Sequence, residues 1–122
     1  LYAPDVPSCA RFYQSVLGLQ PHKAPSTQAA IFKLPSQAML LIFNPDWSRQ
    51  AGRGAPAHGT TGHGHLALRI SDESYAAWLA HLAAHHVPIE SEVAWPPGGR
   101  SIYCRDPAGN SLELAAGDVW GA

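Results

Sequence analysis

In the stretch Gly99-Arg-Ser-Ile-Tyr-Cys-Arg-Asp-Pro-Ala-Gly-Asn-Ser-Leu-Glu-Leu114, two strand-like runs flank a cluster of turn formers. Asp106-Pro107 and Gly109-Asn110 supply the fixed φ and the tolerance of positive φ that a tight reversal needs, so the chain turns between Arg105 and Ser111 as a β-hairpin. Side chains alternate across a strand, and the two strands pair with Tyr103 opposite Glu113. Ser101, Tyr103, Arg105, Ser111 and Glu113 then share one face, while Ile102, Cys104, Leu112 and Leu114 take the other. A glutamate between leucines is costly to bury as a free ion, so it must be exposed, paired or bound to a metal.

The 122 residues are the size of one domain, and 46% of them are hydrophobic, enough for a core of its own. A net charge of −1, with no basic stripe, argues against nucleic acid as a partner. The longest apolar run, residues 38–43, is too short to cross a bilayer, and the start lacks the features of a signal peptide. Cys9 and Cys104 form neither a CxxC pair nor a disulfide framework, which suits a reducing compartment and two core thiols. A cytoplasmic protein with no membrane partner is expected.

In chain order, residues 1–3 read as the end of a strand. Asp5 or Ser8 caps a helix in which Cys9, Phe12, Tyr13, Val16 and Leu17 recur at helical spacing before Gly18 stops it. Residues 29–34 and 38–43 form two strands around the turn Pro35-Ser36-Gln37. Residues 44–62 hold four glycines, two prolines and no periodicity, and read as an irregular connection. Residues 65–70 alternate as a half-buried strand. Ser71 or Asp72 caps a second helix carrying Tyr75, Trp78, Leu79 and Leu82 and ending near His85-His86, where cationic imidazoles suit a helix C-terminus. A strand at 89–93, a loop at 95–99 and the hairpin complete the fold. His81, His85 and His86 read as solvated helix positions. His58 and His63 read as part of a flexible His-rich loop, with His63 sharing the face of His65 if the strand extends that far.

Leu1-Tyr-Ala-Pro-Asp5 set over Leu68-Arg-Ile-Ser-Asp72 makes the two halves repeat, each reading strand, helix, strand, strand, strand. The fold class is therefore α+β: paired βαβββ modules forming a concave mixed β-sheet cleft with helices outside. The expected organisation is one domain over 1–122, with module one at 1–44, a linker at 45–62, module two at 63–116 and a tail at 117–122.

With these elements placed, the chain resembles the vicinal oxygen chelate superfamily of glyoxalases, extradiol dioxygenases, and fosfomycin and bleomycin resistance proteins. The resemblance is carried by Asp5 with Arg11-Phe-Tyr-Gln-Ser-Val-Leu-Gly-Leu19, by Gly64-His-Leu-Ala-Leu-Arg69, and by Ile102-Tyr-Cys-Arg-Asp-Pro-Ala-Gly-Asn-Ser-Leu-Glu-Leu114. It implies metal-ligand positions at His65 and Glu113, a site-lining and catalytic role for Tyr103 beside Glu113, and frequent homodimers. By the repeat, the counterpart of His65 falls upstream of Leu1, and Leu40 stands where four-ligand glyoxalases carry a carboxylate.

The function implied is that of a metal-dependent enzyme. One divalent ion (Fe, Mn, Zn, Ni or Co) would polarise a small substrate chelated through adjacent oxygens, in lyase, isomerase or dioxygenase chemistry. Arg69, Arg105 and Ser101 are the expected substrate-binding residues, and with Glu113 given to the metal the arginines would favour an anionic group. The alternative is a metal-free protein that sequesters a drug, with Trp47, Trp95 and Trp120 available for stacking.

Overall fold

The computed structural model describes residues 1–121. The chain divides into two compact units. The first comprises Leu1–Gly64 with Asp106–Gly109, and the second His65–Arg105 with the residues from Asn110 on.

In the first unit, α1 (Val6–Ser15) starts where the Asp5 side chain accepts from the Ser8 amide at 3.1 Å. Val6, Cys9, Ala10 and Tyr13 are its buried face, the i, i+3, i+4, i+7 stripe of a helix packed on one side. Beyond its C-cap at Val16 the chain reverses at Gly18, whose φ of +68° suits glycine, and the Leu19 amide reaches back to the Tyr13 carbonyl at 3.1 Å. Strands β1 (Ala29–Lys33) and β2 (Met39–Phe43) pair antiparallel. Tyr2 bridges β2 in parallel at Phe43, and Pro21 bridges β1 in antiparallel fashion at Phe32. Ala30, Phe32, Leu40 and Ile42 are the buried face. The connection expected to be irregular holds one helical turn, α2 (Pro45–Ser48), because Asn44 caps the Asp46 amide at 2.9 Å and Pro45 pre-sets φ.

The second unit is a mixed four-stranded sheet in the order β3-β6-β5-β4, built from β3 (His65–Ile70), β4 (Ser91–Ala94), β5 (Arg100–Arg105) and β6 (Ser111–Ala116). β3 runs parallel to β6, and the other neighbours are antiparallel. The expected pairing of Tyr103 with Glu113 is present. Ile102, Cys104, Leu112 and Leu114 are at most 1% exposed, and full burial of each Leu or Ile contributes about 1.5–3 kcal/mol. The same order, with single bridges in place of the outer strands, appears in the first unit as Tyr2, β2, β1, Pro21. This is the βαβββ repeat and the α+β class read from the sequence.

Helix α3 (Tyr75–Ala84) is preceded by a 3₁₀ turn at Asp72–Ser74, and neither Ser71 nor Asp72 caps it through a side chain as expected. The chain tightens into the turn instead, where the Ser74 hydroxyl donates to the Ser71 carbonyl at 2.8 Å. Tyr75 and Leu82 are its buried residues. Nor are residues 117–121 a loose tail. The Gly99 amide donates to the Asp118 carbonyl at 2.9 Å, and a Cβ at position 99 would stand 2.5 Å from the Asp118 carbonyl carbon, so only glycine fits. No helix among the described residues is long and apolar enough to cross a membrane.

The Tyr75 hydroxyl donates to Glu92 at 2.8 Å, and burial, then this acceptor, push the phenol from 10.0 up to about 12. Below pH 10 the folded and unfolded chains both hold this proton. Between about 10 and 12 only the unfolded chain loses it, so stability falls as pH rises through that window. Denaturant midpoints measured across it should show the decline in the wild type and a flatter profile in Tyr75→Phe. Equal slopes in the two proteins would remove Tyr75 as the cause.

Candidate metal centre

The β-sheet register of the second unit sets His65, Ser111 and Arg105 in one row, Ala67, Glu113 and Tyr103 in the next, and Arg69, Ala115 and Ser101 in a third, all on one face. His65 reaches diagonally from its row to Glu113, with His65 Nε2 3.0 Å from Glu113 Oε2. The other ring nitrogen, Nδ1, lies 3.0 Å from the Ser111 carbonyl. A carbonyl only accepts, so Nδ1 carries hydrogen and Nε2 is the atom presented to the carboxylate. Nε2 and Oε2 are then either joined by a second ring proton, as an imidazolium–carboxylate pair, or free to converge as two ligands on one ion. The donor set thus fits a metal ion, and the Ser111 carbonyl orients the imidazole as outer partners of metal-bound histidines do.

Glu113 is only 5% exposed although it is an acid. Its second oxygen, Oε1, accepts from the Ser101 hydroxyl at 2.6 Å, and the Trp95 indole donates to that hydroxyl at 2.9 Å. An indole N–H is a donor only, so Ser101 must spend its own proton on Glu113. The relay from Trp95 through Ser101 anchors one carboxylate oxygen and leaves the other for His65. Half of the His65 side chain is exposed, so the imidazole edge stays open to an incoming ligand. Tyr103 stacks on His65, with ring centroids 6.2 Å apart at 22°. Burial, then the Glu113 carboxylate beside it, hold its phenol above the ordinary value, so it stays a proton donor.

His65, Glu113, Tyr103 and Ser101 are therefore brought together. The two arginines are not free as expected. Arg105 forms a two-pronged pair with Glu90, Nε to Oε2 at 3.1 Å, because the chain entering β4 returns beside β5. Arg69 donates to the Gly117 carbonyl at 3.3 Å and lies 5.2 Å from the Trp120 ring centroid. Sequence reasoning also missed the Ser111 carbonyl and the link from Trp95 to Ser101. No residue type marks a backbone acceptor, and an aromatic in a Pro-Gly loop carries no sign of its partner.

Other histidines take different places. β3 begins at His65, so His63 is not on the strand. Its ring lies over Gly109, where an added Cβ would meet Nε2 at 2.6 Å. His58 is anchored rather than loose: Nδ1 is 2.9 Å from the Tyr2 hydroxyl, and its ring meets Phe43 edge-on. Among the described residues, no group of three His, Cys, Asp or Glu is arranged around a common point. The counterpart of Glu113 in the first unit follows from the paired registers, Tyr2 with Phe43 against Arg69 with Ala115. It is Leu41 rather than Leu40, which faces the core, and neither carries a carboxylate. Cys9 is buried, and burial, then the Asp106 carboxylate, push its thiol far up, so it is no nucleophile.

A repeated βαβββ unit, with a His and a Glu in contact on one sheet face, defines a class of α+β proteins built from paired modules. The chain belongs to the Glyoxalase/Bleomycin resistance protein/Dioxygenase superfamily, whose description it matches over residues 1–114. It is similar to a lactoylglutathione lyase from Agrobacterium tumefaciens at 38% identity and a TM-score of 0.92, covering 100% of this chain and 92% of that one. A glyoxalase/bleomycin resistance protein/dioxygenase from Nocardioides shares 24% identity at a TM-score of 0.72, over 95% of this chain and 78% of that one. A fosfomycin resistance protein from Listeria monocytogenes shares 23% at 0.69, over 98% and 89%. The last two show the fold alone.

Replacing Ser101 with alanine leaves Glu113 Oε1 buried without its donor. A loss of about 1.5–3 kcal/mol in folding stability is expected, measured by urea unfolding. Adding Glu113→Gln to Ser101→Ala should recover part of it. A Ser101→Ala protein as stable as the wild type would mean that the hydroxyl does not hold the carboxylate.

Proposed function

We propose that this protein is a metal-dependent enzyme acting on a small substrate chelated through adjacent oxygens, with lyase chemistry of the kind named for its relative from Agrobacterium tumefaciens. The observation that carries the proposal is the convergence of His65 Nε2 and Glu113 Oε2, 3.0 Å apart on the open face of the sheet. His65 and Glu113 would hold a divalent ion of the Fe, Mn, Zn, Ni or Co group, and the ion would supply Lewis acidity toward the substrate oxygens. Ser101 holds the Glu113 carboxylate in one orientation. Tyr103, protonated and stacked on His65, is placed to donate a hydrogen bond to a bound oxygen.

Arg69 is the anchor for an anionic substrate group in this reading, because its present partners are a neutral carbonyl and a ring that a carboxylate would outcompete. Arg105 is tied to Glu90 and serves only if that exposed pair opens, at a cost of about 0–1 kcal/mol. The proposal includes a homodimer, in keeping with exposed Trp120 and Met39.

The test is metal content in protein purified without a His-tag or chelator, together with turnover of lactoylglutathione. About one ion per chain is expected, lost in His65→Ala and in Glu113→Ala while the circular dichroism spectrum is kept. Wild-type occupancy in either variant would sink the ligand assignment. An occupied protein that leaves lactoylglutathione unchanged would keep the metal centre and reject the substrate.

A further inference from the structure

Residues 117–121 leave β6 at Gly117, whose φ is +70°, and form a strap fastened at Asp118. The Asp118 carbonyl accepts from the Gly99 amide at 2.9 Å, and Asp118 Oδ1 accepts from the Gly121 amide at 2.7 Å. Inside this turn Val119 is 8% exposed, whereas Trp120 is 55% exposed. A large apolar ring held in the open by a fastened backbone forgoes burial. The contact that it makes instead is with a cation, for the Arg69 guanidinium lies over the ring, 5.2 Å from its centroid. The strap touches Arg69 a second time, where Nη1 donates to the Gly117 carbonyl at 3.3 Å. Both contacts leave the guanidinium able to take an anion. It carries five N–H donors in a planar fork, of which one goes to Gly117, and a ring over the face uses none. The edge formed by Nε and Nη2 keeps the paired donors that a carboxylate accepts side by side. No carboxylate among the described residues pairs with Arg69, in contrast to Arg49, Arg100 and Arg105, which have Asp46, Asp72 and Glu90. Of Arg69, Ala115 and Ser101 in one row of the sheet, only Arg69 is exposed.

We infer that Trp120 is a positioning residue of the proposed site: it holds the Arg69 guanidinium in one orientation, with the Nε and Nη2 edge left to a carboxylate of the substrate. The inference rests on the metal-dependent reading above and adds to it the element that fixes the anchor. On β3, Arg69 stands two residues beyond Ala67, the partner of Glu113, which is about 7 Å along the strand. A substrate that reaches both therefore carries its carboxylate several bonds away from the oxygens chelated at Glu113. Ordering the arginine in advance lowers the entropy lost when the carboxylate binds, and at an exposed site this is worth about two- to fivefold in affinity.

Benzoate titrated into the full chain stripped of metal by chelator tests this, with benzamide as the uncharged counterpart, followed by nitrogen-15 NMR at the Arg69 Nε–H and the Trp120 indole N–H. Benzoate should shift both signals saturably, and benzamide neither. Trp120→Leu should weaken benzoate binding about two- to fivefold, read at Arg69, and Trp120→Phe should recover part of the loss because a smaller ring still faces the cation. Arg69→Met should abolish the response at Trp120. In metal-loaded protein turning over lactoylglutathione, Trp120→Leu should raise KM by the same factor without lowering kcat, as expected of a group that acts on binding through another residue. The inference is overturned if Trp120→Leu binds benzoate as tightly as the parent, or if Arg69→Met keeps the shift at Trp120. The titration needs neither metal nor turnover, so a protein that takes up no metal and still shows these shifts would reject the metal-dependent reading and keep the anchor.

Discussion

The structure of the second unit turns on β6 lying between an antiparallel neighbour, β5, and a parallel one, β3. Both pairings run over all six residues of β6, and a slip of one residue in either would carry Glu113 to the core and a leucine to the open face. Leu112 and Leu114 resist that slip, because each would leave the core at a cost of about 1.5–3 kcal/mol. The acid is thus held in place by its apolar neighbours. Once there, it is expensive unless satisfied, and the Ser101 hydroxyl and the His65 nitrogen satisfy one oxygen each.

His65, Glu113, Tyr103 and Ser101 all belong to the second half of the repeat. The two units share strand order and core positions: Leu40 and Ile42 lie beneath β2 as Leu112 and Leu114 lie beneath β6. On the opposite face the correspondence ends, since Leu41 stands where Glu113 stands and Ile31 where Tyr103 stands. Core positions answer to packing, which both halves need. The open face is free to differ, and in the second half it bears acid, imidazole and phenol together.

Ion pairs at the margins of the sheet narrow what the site can use. Arg105 and Glu90 are both near half exposed, so their attraction is small in stability yet enough to orient the guanidinium away from the Glu113 row. The buried hydroxyl of Tyr75, bonded to Glu92 under the Arg100 guanidinium, ties α3 to the outer strands of the sheet. Helix α3 is thereby anchored at its N-terminal end.

The sequence by itself determined the elements whose cause is local. Alternation and turn chemistry are properties of neighbouring residues, so the hairpin, its register of Tyr103 with Glu113, the Asp5 cap and the βαβββ repeat were all legible. The resemblance that those motifs carry implied ligand positions at His65 and Glu113, but not that the two side chains touch. The one-turn helix at Pro45–Ser48 was readable in principle from Asn44 and Pro45 but too short to show a period. Only the tertiary structure decided which partner each polar group received. That His65 turns Nε2 to the acid because Nδ1 is taken by a carbonyl, that Ser101 stands between Trp95 and Glu113, and that Arg105 faces Glu90 all depend on register across strands. Those distances come from folding separate segments together, and no spacing along the chain encodes them.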